Sequence, residues 1–215
     1  MSEVTQLCVI QTELLSVMRG GLLNYGAARD PGFFDALPHS LIPTCYRTNV
    51  GRLAAVHGHD AYARPLLEEF ASRDFENVPR ELSYLSSLCN LAVIAIELRD
   101  RPRAERLYEM LSPYADFNTP NSMSYCEGAV AYFLALLAER LDRPQRSAAL
   151  FARALELNRR LGEGPLLART YFDSARFLAS RDQPGAREQA TLARELAEDL
   201  DMRSLAARAQ TLLLH

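Results

Sequence analysis

Lysine is absent from this chain, and all 24 of its basic residues are arginine. Without lysine, no Gly-x-x-x-x-Gly-Lys-[Ser/Thr] phosphate loop can form, because that loop needs the ammonium group to reach the nucleotide phosphates. We read the deficit as a GC-rich coding bias rather than a demand for guanidinium chemistry. Also missing is any run near the roughly 20 apolar residues that a membrane-spanning helix requires. Met1-Ser2-Glu3-Val4 has no basic start, no long apolar core and no cleavage site, so no signal peptide is expected. These two absences lead to a cytoplasmic assignment. Runs of β-branched residues are nearly absent, which argues against a sheet-based fold. The four cysteines, Cys8, Cys45, Cys89 and Cys126, form no C-x-x-C pair. They are expected to be reduced, mostly buried thiols acting as small apolar side chains. A net charge of −3 gives no bulk attraction to nucleic acid or an anionic membrane.

What is present is a recurring frame. Asp100-Arg101-Pro102 returns as Asp142-Arg143-Pro144 and, altered, as Asp182-Gln183-Pro184. After the first copy comes Ala104…Tyr108…Leu111, and after the second Ser147…Phe151…Ala154. Steps of four and three put each set on one helix face. An earlier unit fits with Val50-Gly51 and Ala63…Leu67…Phe70. The small residues Ala63, Ala104, Ser147 and Ala190 are spaced by 41, 43 and 43 residues. A fixed period of this length marks stacked helix pairs, each unable to bury its apolar stripe alone.

The expected layout has two parts, an N-terminal helix and irregular linker over residues 1–43 and repeats over 44–215, joined in one solenoid. A first helix over residues 2–19 carries the stripe Leu7, Ile10, Leu14 and Val17 and ends at Gly20-Gly21. It reads as the second helix of a unit whose first is missing, either because the chain is a piece of a longer one or because this helix serves as an N-terminal cap, and the former is expected. Paired helices then cover 44–57 with 60–72, 81–98 with 102–114, 124–141 with 144–161, and 165–180 with 185–200. A loop over 116–122 interrupts them, and a short helix over 203–214 follows. Pro102 and Pro144 suit first helical turns, with Asp100 and Asp142 placed to accept the free N–H groups there. Ser124…Glu127 fits a capping box, and Gly162 a helix-ending glycine. The predicted fold is all-α, a superhelical array of antiparallel helix pairs.

This frame resembles the tetratricopeptide repeat, with longer linkers and second helices. More specifically, residues 73–201 resemble the C-terminal repeat region of bacterial STAND-class, LuxR-type transcriptional regulators and of cyclases carrying an ATPase module. The resembling phrases are Arg73-Asp74-Phe75-Glu76-Asn77-Val78-Pro79-Arg80, the run 107–115, Ala154-Leu155-Glu156-Leu157-Asn158-Arg159-Arg160-Leu161-Gly162, and the run 168–178. The resemblance implies the sensing and interaction part of such a regulator, with an ATPase module attached in the full-length protein. This sequence carries no phosphate loop, and no DNA-reading helix is expected after the helix over 203–214.

In the repeat frame, the first helix of each pair lines a concave groove. That places Arg52, then Cys89 and Val93, then Tyr132 and Leu136, and then Arg169, Phe172 and Arg176 along it. Asn49 and Asn90 take positions where related repeats hold a peptide backbone or carboxylate, but Phe133 and Asp173 break that pattern in the later units. The candidate binding residues are therefore Asn49, Arg52, Asn90, Tyr132, Arg169, Phe172 and Arg176. Arginine and aromatic side chains suit a peptide or a small anionic ligand.

No catalytic residues, cofactor or metal are expected. His57-Gly58-His59 would need a bent loop to chelate. Glu68-Glu69 and Glu195…Glu198-Asp199 sit among arginines on polar faces, and no Gly-x-Ser-x-Gly elbow occurs. Arg140, Arg143, Arg146, Arg153, Arg159 and Arg160 are interleaved with Glu139, Asp142 and Glu156, which argues against a nucleic-acid patch. The expected function is a non-catalytic ligand- or protein-binding repeat domain of a bacterial signalling or transcriptional regulator. The alternatives are a freestanding scaffold between proteins and, less favoured, an enzyme with a site in the loop over residues 20–43.

Overall fold

The computed structural model describes residues 44–121 and 125–214. The expected helix over 2–19, the linker over 20–43, Cys8 and Ser124 lie outside the described residues. Helices α1 (Thr44–Val56) and α2 (Asp60–Ala71) are followed by α3 (Tyr84–Glu97) and α4 (Arg101–Leu111). A two-stranded hairpin comes next, with β1 (Asn118–Asn121) antiparallel to β2 (Tyr125–Ala129). After it come α5 (Val130–Arg140), α6 (Pro144–Leu161), α7 (Gly164–Ala179), α8 (Ala186–Asp199) and α9 (Arg203–Leu214). Consecutive helices pack as pairs, α1 with α2, α3 with α4, α5 with α6 and α7 with α8. Pairs also meet one another: α1 packs on α3 and α3 on α5, while α6 packs on α7 and α9 on both α7 and α8. Among the described residues, no helix is long and apolar enough to cross a membrane.

The helices of each pair are joined by the same turn. Gly58, Arg99, Asp142 and Asp182 all take left-handed backbone angles, with φ of 75°, 57°, 58° and 51°. In each case the next residue donates its N–H to a carbonyl five residues back, from His59 to Ala54, Asp100 to Ala95, Arg143 to Ala138 and Gln183 to Leu178. This is the Schellman closure, which satisfies carbonyls that a helix C-terminus leaves unpaired. The closure corrects the motif register. Asp100 is the N-cap of α4, its carboxylate accepting the Arg103 N–H at 3.2 Å. Asp142 is instead the left-handed residue, so Arg143 takes the cap position of α6 and makes no side-chain cap bond.

The frame of small residues governs the packing. Ala63, Ala104, Ser147 and Ala190 lie one in each of α2, α4, α6 and α8, and none is more than 1 % exposed. Ser147 meets its polar cost by donating its hydroxyl to the Ala135 carbonyl at 2.9 Å. Gly51 does the same work in α1. A Cβ there would lie 2.3 Å from Leu66 Cδ2 and 2.9 Å from Ile94 Cδ1, so any larger residue would have to push these side-chain ends of α2 and α3 aside. Gly162, at φ 75°, ends α6 as expected.

The main correction concerns residues 116–129. Residues 118–121, expected in the loop, and 125–129, expected in the helix over 124–141, are paired strands instead, and α5 begins only at Val130. Gly128, at φ 105° just before the last residue of β2, takes a conformation that excludes helix. The buried Thr119 hydroxyl donates to the Gly128 carbonyl at 2.8 Å, and the Ala129 N–H donates to Asn158 Oδ1 at 2.9 Å. Asn158 in turn donates through Nδ2 to Thr170 Oγ1, clamping the hairpin between α6 and α7. Glu127 is therefore no capping residue. It sits buried in β2, 3.5 Å from Arg52 Nη1.

Apolar burial falls into two clusters. The larger runs through α1 to α6 and takes in Phe177, and the smaller joins α7, α8 and α9 through Ala168, Phe172, Ala193, Met202 and Leu205.

Candidate functional site

A groove of about 820 Å³ crosses the face built by α1, α3, α5, α7 and α9. Helical spacing explains its walls. Val93, Ile96 and Glu97 share one face of α3, and Tyr132, Leu136, Glu139 and Arg140 share one face of α5. Arg169, Phe172, Asp173 and Arg176 share one face of α7, and Leu205 and Arg208 reach in from α9. Val56 and His57 border one end, and the turn residues Asp142 and Arg181 with Arg101 border another edge.

The walls of α5 and α7 are tied by polar contacts. The Tyr132 hydroxyl donates to Asp173 Oδ2 at 2.7 Å. Arg176 donates to both oxygens of Glu139, at 2.9 and 2.7 Å, and its Nε lies 3.8 Å from Asp173. Arg101 holds Asp142 at 3.0 Å. Burial pushes the Tyr132 phenol well above the usual tyrosine range, with Arg169 opposing and Asp173 reinforcing the shift. The phenol is thus a fixed hydrogen-bond donor near neutral pH.

Three of the groove's guanidinium groups lie over aromatic rings. Arg169 is 5.8 Å from the Tyr132 centroid, Arg208 4.4 Å from Phe172, and Arg181 4.4 Å from Phe177. Such stacking fixes the cation while leaving its N–H edge available. Arg140, Arg169, Arg181 and Arg208 have no carboxylate at ion-pair distance among the described residues, and all four line the groove. Elsewhere arginines are mostly committed, as in Arg143 to Glu105 at 2.6 Å and Arg153 to Asp116 at 2.7 Å. Glu97 stands out among the groove carboxylates. Burial raises its carboxyl above the usual value, Arg169, Arg140 and Arg176 pull it back, and Asp173 adds to the rise.

Of the residues singled out in the sequence, Tyr132, Arg169, Phe172 and Arg176 are brought together on the groove, with Val93 and Leu136 beside them. Asn49, Arg52, Asn90 and Cys89 are placed elsewhere. They are buried where α1 packs directly on α3, with Arg52 Nη1 donating to Asn90 Oδ1 at 2.9 Å. Burial and the neighbouring Glu127 raise the Cys89 thiol well above its usual range, while Arg52 opposes. Sequence reasoning missed Glu97, Arg140, Arg181 and Arg208. Spacing alone could have found Arg140, one turn beyond Leu136, and Arg208 follows once α9 is treated as a further first helix.

No Ser, Thr or Cys side chain lines the groove, and no three His, Cys, Asp or Glu side chains converge to hold a metal ion among the described residues. Comparison with protein-family models, with curated proteins and with solved structures finds no match to this chain.

Proposed function

We propose that the chain is a non-catalytic, cytoplasmic binding array, a tetratricopeptide-like α-solenoid whose groove holds an anionic ligand. The observation that carries this is the set of four guanidinium groups, Arg140, Arg169, Arg181 and Arg208, that line one groove with no carboxylate at ion-pair distance among the described residues. Arginine presents a rigid fork that matches carboxylate and phosphate oxygens, so uncommitted arginines on a shared wall suit anion recognition. Binding is favoured over proton-transfer chemistry because Glu139, Asp142 and Asp173 are each held by an arginine or by Tyr132. An acidic peptide segment is favoured over a compact metabolite. Five helices border the groove, and at about 8–10 Å per helix spacing it runs for about 35 Å. That is the span of about ten extended residues. The resemblance of residues 73–201 to regulator repeat regions supports a role as the sensing part of a bacterial signalling or transcriptional regulator.

The test is titration calorimetry with an acetylated ten-residue polyglutamate peptide at low salt. The expected result is saturable binding that weakens about tenfold or more in an Arg169→Ala, Arg208→Ala variant. Unchanged binding in that variant, or no binding at all by the folded protein, refutes the proposal.

A further inference from the structure

Glu97 is the one groove carboxylate that no hydrogen bond holds among the described residues. Its neighbours Glu139, Asp142 and Asp173 accept from Arg176, Arg101 and Tyr132. Its place in the array is informative. Glu97 and Arg140 stand at matching ends of α3 and α5, each followed by a buried leucine, Leu98 or Leu141, and then by the left-handed turn residue. Neighbouring units therefore present opposite charges at the same position on the groove wall. The cations that pull on Glu97 are Arg169, Arg140 and Arg176, and Arg176 is already committed to Glu139. That leaves a loosely held carboxylate in the field of two guanidinium groups that have no carboxylate at ion-pair distance among the described residues, although Asp173 also acts on Arg169.

We propose that Glu97 is the groove's built-in counter-anion, the residue that sets the threshold of ligand charge. Resting on the proposal that the groove binds anions, this deepens it. A carboxylate or phosphate group seated at Arg140 and Arg169 must displace Glu97 from their field or bear its repulsion. A weakly charged ligand gains too little to do so, whereas a segment with several adjacent acids also engages Arg181 and Arg208. Glu97 thus selects for multiply charged ligands by penalising the rest.

The experiment compares Glu97→Gln, Glu97→Asp and the unaltered protein by calorimetry, using the acetylated polyglutamate decapeptide and the dicarboxylate glutarate as probes. Glu76→Gln, an exposed site that is not part of the groove, controls for net charge. The expected result is that Glu97→Gln tightens the decapeptide about fivefold and glutarate proportionally more, with Glu97→Asp and Glu76→Gln close to the unaltered protein. A merely structural role would weaken binding in both Glu97 variants. Equal affinity for Glu97→Gln and the unaltered protein, with Arg169→Ala still weakening both, overturns the counter-anion role and leaves the groove proposal standing. Absence of decapeptide binding by every folded variant overturns both.

Discussion

The buried pair Arg52–Glu127 makes the sharpest energetic prediction. Their side chains are only 5 % and 2 % exposed and stand 3.5 Å apart, with Asn90 Oδ1 taking a further Arg52 N–H at 2.9 Å. At an effective dielectric constant of about 20, charges at that separation attract by about 5 kcal/mol. Removing each ion from water costs several kcal/mol, so the intact pair contributes little net stability. Removing one partner is another matter, because it strands the other charge. Arg52→Met and Glu127→Met are each expected to cost about 3 kcal/mol. Part of the Arg52→Met loss comes from Asn90 Oδ1, left without its donor. Arg52→Met with Glu127→Met removes both charges and is expected to cost only about 2 kcal/mol, a favourable coupling of about 4 kcal/mol. The assay is urea unfolding near pH 7, followed by circular dichroism and fitted for midpoint and slope. If the double variant loses the sum of the two single losses, the charges do not compensate each other and the reasoning is wrong.

Two further outcomes are expected. Phe151, 1 % exposed with its ring 5.6 Å from that of Phe177, joins α6 to α7, so Phe151→Ala should cost about 4 kcal/mol in the same unfolding assay. Phe117→Ala, at a residue 57 % exposed, should cost less than about 1 kcal/mol, and similar losses at the two sites would contradict the packing. Glu97 predicts a pH dependence. Burial raises its folded-state carboxyl above the unfolded value, so its contribution is fully present below the ordinary carboxylate range and is lost as pH rises through the folded value. Glu97→Gln should therefore be more stable than the unaltered protein near neutral pH, with the difference vanishing below about pH 4. A difference that instead grows on acidification refutes the burial effect.

Much of the helical frame was legible because its determinant is local. Ala63, Ala104, Ser147 and Ala190 repeat at a fixed spacing, and all four are buried where paired helices close. The turn register was not legible from matching strings. Asp100-Arg101-Pro102 and Asp142-Arg143-Pro144 read alike, yet Arg99 takes the left-handed slot in one copy and Asp142 takes it in the other. The choice depends on where the preceding helix runs out, a property of packing. The hairpin was hidden for a similar reason. Its strands lack alternating apolar residues, and they are held by the distant side chain of Asn158 rather than by strand propensity. At the groove, periodicity correctly grouped Tyr132 with Leu136 and Arg169 with Phe172 and Arg176. It failed for Asn49, Arg52 and Asn90, because the same face of α1 and α3 is closed by direct contact between those helices. Spacing says which residues share a face, but not how far away the next helix lies.

That distance changes at the seam between α5 and α7, and the change bears on how binding could be read out. Tyr132 on α5 belongs to the larger apolar cluster and Phe172 on α7 to the smaller, although Phe177 of α7 packs into the larger one against Phe151. What crosses the seam includes Tyr132 to Asp173 and Arg176 to Glu139. Apolar interfaces resist sliding because every displaced methyl group opens a void, whereas hydrogen-bonded side chains can exchange partners with little loss. The polar contacts between the α5 and α7 walls are therefore the ones best suited to exchange partners, and the groove straddles them. A ligand bridging Arg140 on α5 and Arg169 on α7 would act on both clusters at once, favouring whichever spacing of the walls fits it. Its leverage is bounded by its differential affinity for the two spacings. On the proposed function, the uncommitted arginines lie on both walls because a signal must be written across the seam.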